Sequence, residues 1–194
     1  MKIIQFPDFV RRYFSGEEFV VFDTETTGLN TFHDNIIEIG ATIWGRDGKI
    51  NDYEELIKIP ENKFSKEAER IHGIPYSKLA DAPEPKDVYD NFLKFCGDRA
   101  LVAHNIKFDF PMLNSNLIRN GFTPYQNDQV ACSLVYAKEQ KLPGKLKDLA
   151  DHYEVIKNNA NLHRALYDVE ILIEVLEKMM QENEPEDMQY SLII

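Results

Sequence analysis

The hydrophobic positions divide the chain into a strand-rich first part and a helix-rich second part. Residues 19–28 begin with a run of β-favouring apolar residues, and a second apolar run covers residues 36–44. Residues 45–48 (Gly-Arg-Asp-Gly) are a hairpin signal, and residues 49–59 alternate well enough to form the returning strand. Pro60 ends that strand. We therefore expect three antiparallel strands at the start of the domain.

Helical spacing dominates the chain from residue 65 onwards. It is interrupted by residues 99–103, a short apolar run that predicts a buried strand, and by a turn at residues 104–109. The predicted helices cover residues 65–71, 85–96, 110–120, 131–139, 146–152 and 164–181, and a short amphipathic helix is expected within residues 3–14. Strands that alternate with helices in this way predict a mixed α/β domain.

Length and composition are those of one globular domain. The chain has 194 residues, 43% of them hydrophobic and 28% charged. No window approaches the roughly 20 apolar residues that a membrane span needs, and charges scattered through residues 1–14 do not fit a signal peptide. Cys96 and Cys132 have neither metal-ligand nor redox spacing, which favours a reducing compartment. We expect a cytoplasmic protein with no membrane partner.

The net charge narrows the class of partner. A value of −11 argues against a general nucleic-acid coat protein, which is normally basic. It is compatible with an enzyme that acts on nucleic acid, because bound divalent cations supply the attraction to phosphate locally.

Two carboxylates stand at the end of the first strand. The period of two places Asp23 and Glu25 on one face and Thr24 on the other. Two like charges where the core ends repel each other and lose hydration, which costs several kcal/mol per ion unless cations compensate. A metal site is the favoured interpretation, and the solvated end of an edge strand is the alternative.

Two further acids occupy comparable positions. Asp109 follows the buried strand at the start of a helix, where an N-cap is the alternative role. Asp168 borders the apolar stripe of the last helix, and an exposed acid paired with Arg164 is its alternative. His163 lies near the start of that helix, five positions before Asp168, and is a candidate base or a structural residue.

This set of residue types indicates a particular chemistry. Four acids from separate segments, with no His/Cys ligand cluster, suit magnesium or manganese better than zinc. Two such ions, about 3.5–4 Å apart, commonly serve in-line displacement at phosphorus. Histidine has an ordinary pKa of about 6.5 and is suited to take a proton from water at neutral pH.

Three segments resemble the motifs of the DEDD exonuclease superfamily. Residues 22–28 (FDTETTG) are similar to its first motif and residues 104–109 (HNIKFD) to its second. Residues 163–168 (HRALYD) resemble the third motif in the His-x4-Asp form of the DEDDh branch. Residues 67–74 are similar to a substrate-side segment of the proofreading epsilon subunits of bacterial DNA polymerase III, and the resemblance extends over residues 18–178.

The resemblance implies a ribonuclease H-like fold, with a mixed five-stranded sheet flanked by helices, and one exonuclease domain over residues 1–194. It implies 3′→5′ hydrolysis that releases nucleoside 5′-monophosphates, with His163 as the general base. Two divalent cations, Mg²⁺ or Mn²⁺, would be held by Asp23, Glu25, Asp109 and Asp168. The implied nucleotide-binding residues are Thr26, Gly28, Glu67, His72, His104, Asn105 and Phe108.

The implied substrate is DNA with a single-stranded or frayed 3′ end, with RNA as a second candidate and a separate DNA polymerase subunit as a candidate partner. An exoribonuclease or short-oligonucleotide degrader would have the same motifs, and a non-catalytic binding module would lack one of the five central residues. Residues 132–134 (Cys-Ser-Leu) depart from the Asp-Ser/Thr-Leu that often follows the second motif. Four lysines suggest a phosphate track or a solvated loop: Lys138, Lys141, Lys145 and Lys147.

Overall fold

One six-stranded mixed sheet forms the centre of the protein. The computed structural model describes residues 1–155 and 163–183. The strands are β1 (Lys2–Ile3), β2 (Phe19–Thr26), β3 (Ile36–Gly45), β4 (Gly48–Leu56), β5 (Ala100–Ala103) and β6 (Gln129–Cys132). Their order across the sheet is β1-β6-β5-β2-β3-β4. β2, β3 and β4 form an antiparallel meander, whereas β2–β5, β5–β6 and β6–β1 pair in parallel.

Helices cover both faces of the sheet. They are α1 (Phe6–Phe14), α2 (Lys66–His72), α3 (Tyr76–Ala80), α4 (Pro85–Cys96), α5 (Ile106–Arg119), α6 (Ser133–Glu139), α7 (Leu146–His152) and α8 (Ala165–Gln181), with a 3₁₀ turn at Glu61–Lys63. Within the described residues, no helix is long and apolar enough to cross a membrane.

The central position of β2 follows from its apolar start. Phe19 and Val21 pack in one core with α1 and α8, whereas Val20 and Phe22 pack in the other core with α4 and α5. Successive residues of a strand point to opposite faces, so a strand that is apolar at every position must be covered on both sides. The end of β2 therefore lies between two helical layers.

The predicted mixed α/β fold is confirmed, but the predicted number of five strands is wrong. β1 is only two residues long, and its pairing with Gln129 and Val130 is a long-range contact that no local pattern shows. β6 runs directly into α6, so residues 131–132 were predicted as the start of a helix. α5 begins at Ile106 and not at residue 110, and β4 ends at Leu56, three residues before the predicted end.

Candidate active site

The four predicted metal-binding acids meet at the end of β2. Asp23 is partly accessible to solvent, and Glu25 is only 9% exposed. Both lie on the face of the sheet that α8 covers, because they continue the alternation of Phe19 and Val21. The charge of Asp168 on α8 acts on both of them.

Asp109 reaches the same place from the opposite layer. It lies in the first turn of α5, is 4% exposed, and its Oδ1 accepts a hydrogen bond of 2.9 Å from the Thr24 hydroxyl. The alternative role of Asp109 as a helix cap is wrong, since Asn105 is the N-cap residue. Thr24 thus orients a predicted metal ligand, a role that no pattern in the sequence shows.

The start of α8 brings His163 and Asp168 to Glu25. One ligand atom from each of these three residues lies within 4.8 Å of the others. His163 is exposed and has a φ of +64°, and its backbone N–H lies 3.3 Å from Asp168 Oδ2. The alternative pairing of Asp168 with Arg164 is wrong, because the Arg164 guanidinium pairs with Glu38.

Burial makes ionisation of these acids unfavourable. It raises the pKa of Asp23 well above its ordinary value, and the charges of Asp109 and Glu25 raise that pKa further. Burial raises the pKa of Glu25 to about 9, with a further contribution from Asp168. Burial also raises the pKa of Asp168. It raises the pKa of Asp109 to about 7 although the hydrogen bond from Thr24 opposes the rise.

This donor set fits hard divalent cations. Within residues 1–155 and 163–183, none of the four carboxylates forms an ion pair with a Lys or Arg side chain. Adjacent buried carboxylates without a cationic partner are stabilised in their ionised form by a bound cation. Carboxylate oxygens are the ligands that Mg²⁺ and Mn²⁺ prefer.

Five of the seven predicted nucleotide-binding residues line one cavity of about 370 Å³ beside Glu25, which we call the β2 cleft. Leu29 and Ile71, which were not among the predicted residues, also line it and are 86% and 63% exposed. Isolated exposed apolar residues are common, so only their place beside the acids distinguishes them. The predicted residues in the cleft are Thr26, Gly28, Glu67, His72 and Phe108.

The other two predicted residues, His104 and Asn105, line a second cavity of about 470 Å³, which we call the α7 cavity. His163 and Asp168 form part of its wall and Glu25 lines the β2 cleft, so both cavities border the group formed by these three residues. Lys145 and Lys147 also line the α7 cavity, whereas Lys138 and Lys141 do not.

Internal hydrogen bonds hold His104, which is half-buried, and His72, which is buried. His104 Nδ1 lies 2.9 Å from Ser133 Oγ, and its Nε2 lies 3.0 Å from the Gly144 carbonyl oxygen. Burial lowers the pKa of His104 and of His72, which favours neutral rings. His104 is therefore a wall residue that ties the segment before α7 to α5. His72 Nδ1 accepts the Ile74 N–H at 3.0 Å, which leaves Nε2 for another partner.

The architecture has close counterparts among solved structures. E. coli exonuclease I in complex with a dA16 oligonucleotide superposes with a TM-score of 0.75 at 17% identity, over 90% of this chain and 42% of that chain. Exonuclease X in complex with 5′-overhanging duplex DNA superposes with a TM-score of 0.66 at 24% identity, over 86% of this chain and 92% of that chain. The fold is thus the ribonuclease H-like fold of DEDDh exonucleases.

The family follows from the sequence match. Residues 20–176 match the exonuclease family RNase_T, and the chain belongs to this family, whose members are 3′→5′ exonucleases that use divalent metal ions. DNA polymerase III PolC-type of Staphylococcus haemolyticus is 36% identical over 167 residues, which are 84% of this chain. The chain spans only 11% of that relative's length.

Proposed function

We propose that this chain removes nucleotides one at a time from the 3′ end of single-stranded or frayed DNA, releasing nucleoside 5′-monophosphates. The single observation that carries the proposal is the convergence of four carboxylates from β2, α5 and α8, with His163 beside two of them. The carboxylates are those of Asp23, Glu25, Asp109 and Asp168.

The four carboxylates are proposed to hold two divalent cations, Mg²⁺ or Mn²⁺. Such ions lower the pKa of an attacking water and stabilise charge on the phosphate and the leaving oxygen. His163 accepts the proton of the attacking water through an imidazole nitrogen. Its exposure suits this role, because a base must reach the reacting water and then release the proton to solvent.

The β2 cleft is proposed to hold the 3′-terminal nucleotide. Its volume of about 370 Å³ is at the lower end of the range for small-molecule sites. Exposed Leu29 and Ile71 offer apolar surface to the nucleobase of that nucleotide, and Phe108 offers an aromatic ring. Gly28 also lines the cleft, and the Asp34 carboxylate occupies the space that a Cβ would take there, since that Cβ would lie 2.5 Å from Asp34 Oδ2.

The α7 cavity is proposed to receive the next phosphates of the strand. Lys145 and Lys147 line it, and neither forms an ion pair with a residue that the structure describes. In a chain with a net charge of −11, unpaired lysines beside the candidate base are a local attraction for phosphate. The similarity to part of a DNA polymerase III leads us to propose a separate polymerase subunit as a partner.

The substrate assignment is tested with matched oligonucleotides. DNA and RNA of one sequence, single- and double-stranded, are incubated with the chain and Mg²⁺, and the products are separated by length. We expect single-stranded DNA to be degraded at least tenfold faster than RNA. A preference for RNA would replace the DNA proposal with the exoribonuclease alternative.

The role of His163 is tested by His163→Ala. We expect kcat to fall by 10²–10⁴-fold, the usual contribution of a general base. The affinity for Mn²⁺, measured by calorimetry without substrate, should stay within threefold of the wild-type value. A parallel loss of metal affinity would show that His163 is a ligand and not the base.

A further inference from the structure

β3 brings a fifth carboxylate to the site. Glu38 lies directly opposite Glu25 in the β2–β3 register and is fully buried. A buried ionised carboxylate must be matched by opposite charge and by hydrogen bonds, or it destabilises the fold by several kcal/mol. The residues that pair with Glu38 therefore show which element its carboxylate stabilises.

All of these partners lie at the start of α8. Arg164 Nη2 donates to Glu38 Oε1 at 2.6 Å, and Arg164 Nε lies 3.1 and 3.2 Å from the two carboxylate oxygens. The Ala165 N–H donates to Glu38 Oε2 at 3.0 Å. Arg164 is the N-cap residue of α8, and its own side chain makes no capping bond. Glu38 thus caps a helix that belongs to a different part of the chain.

Gly40 makes the close approach possible. It lies two residues after Glu38 and therefore on the same face of β3. A Cβ at Gly40 would lie 2.1 Å from the Leu166 nitrogen and 2.3 Å from the Ala165 carbonyl carbon. The first turn of α8 therefore packs directly on the backbone of β3, and Glu38 fastens it there.

We propose that Glu38 and Arg164 are positioning residues that hold the start of α8 in its working place. We call the Glu38–Arg164 pair the α8 anchor. His163 immediately precedes Arg164, and its positive φ places it outside any regular helix. The α8 anchor therefore sets the position of His163. Asp168 lies in the first turn of the anchored helix. Neither Glu38 nor Arg164 needs to touch the substrate. The inference rests on the proposed function of His163 and Asp168.

The catalytic test uses Arg164→Met and Arg164→Lys. Arg164→Met should lower kcat on single-stranded DNA at least tenfold and leave KM within threefold, because His163 is misplaced while the β2 cleft, which no residue of α8 lines, remains. Arg164→Lys should recover part of the loss, since it keeps the charge but not the fork of hydrogen bonds. The matched control is Arg99→Met, which breaks a similar Arg–Glu pair with Glu18 at 2.8 Å. It should leave kcat unchanged.

A second readout does not depend on activity. In metal-free protein, amide hydrogen exchange of Ala165 should quicken at least tenfold in Arg164→Met and in Glu38→Gln, while exchange in α4 stays unchanged. The inference is overturned if Ala165 exchange stays at the wild-type rate. It is also overturned if the kcat of Arg164→Met, corrected for the fraction of folded protein, equals that of Arg99→Met. If the wild-type chain cleaves no oligonucleotide, the proposed function fails, while the exchange data still test whether Glu38 and Arg164 hold the start of α8.

Discussion

The buried carboxylates should make the metal-free protein less stable as pH rises. Burial raises the pKa of Asp109 from its ordinary value of 3.8 to about 7. A carboxyl whose pKa is higher in the folded than in the unfolded state is most favourable to folding below the unfolded pKa. That contribution is lost as pH rises through the folded pKa. At about 1.4 kcal/mol per pKa unit, the loss at Asp109 is about 4 kcal/mol, of which about 2 kcal/mol falls between pH 5.5 and pH 8.

Asp109→Asn removes this contribution, together with the part of the rise in the pKa of Asp23 that the charge of Asp109 causes. The amide has nearly the same shape, and its oxygen can still accept the Thr24 hydroxyl, which lies 2.9 Å from Asp109 Oδ1. The free energy of unfolding is measured by urea denaturation in a chelator at pH 5.5 and pH 8. We expect the wild-type chain to lose at least about 2 kcal/mol more than Asp109→Asn between these pH values.

Two controls make the result specific. Glu174→Gln removes an exposed carboxylate from α8 and should keep the wild-type dependence on pH. Saturating Mg²⁺ at pH 8 should stabilise the wild-type chain by a few kcal/mol, because a ligand that binds only the folded state adds its binding free energy. Mg²⁺ should stabilise Asp109→Asn much less. Equal pH dependence in the wild-type chain and Asp109→Asn would refute the reasoning.

The remaining predictions concern the two cavities and the anchor. Replacing both Lys145 and Lys147 with Ala should raise KM for a single-stranded DNA of about 20 nucleotides about tenfold and weaken the salt dependence of KM. An unchanged KM would exclude the two lysines as phosphate contacts. Leu29→Ala and Ile71→Ala should each raise KM about fivefold, because each loses about 1 kcal/mol of apolar contact with the nucleobase. An unchanged KM would show that the nucleobase binds elsewhere. Gly40→Ala should destabilise the fold by about 1–3 kcal/mol in urea denaturation, because α8 must shift, and wild-type stability would contradict this packing.

The strands that could be predicted are those whose local pattern agrees with their tertiary contacts. β2 begins with a continuous apolar run because both of its faces are covered, and β3 is apolar at positions 37, 39, 41 and 43. The Gly45–Gly48 turn joins β3 to β4. β1 and β6 were missed because each is defined mainly by its pairing across the sheet. A two-residue strand has no periodicity, and β6 merges with the apolar start of α6.

The site was predictable where chemistry is local and was missed where it depends on contacts between layers. Asp23 and Glu25 follow from a period of two, and they converge with Asp168 as expected. The roles of Thr24 and Glu38 were not visible, because each residue acts on an element more than 80 positions away. The alternative that paired Asp168 with Arg164 is wrong, since spacing within one helix does not show a partner on a strand such as Glu38.

The most direct test of the central claim is the polarity and metal dependence of cleavage. A single-stranded DNA labelled at its 5′ end is incubated with Mg²⁺ and the wild-type chain or Asp168→Asn, and the products are followed with time. The account predicts a ladder that shortens one nucleotide at a time from the 3′ end, nucleoside 5′-monophosphates as the small product, and no cleavage in chelator. Asp168→Asn should reduce the rate by at least 10³-fold, because Asp168 is one of the four proposed ligands. Internal cuts, shortening from the 5′ end, or full activity of Asp168→Asn would contradict it.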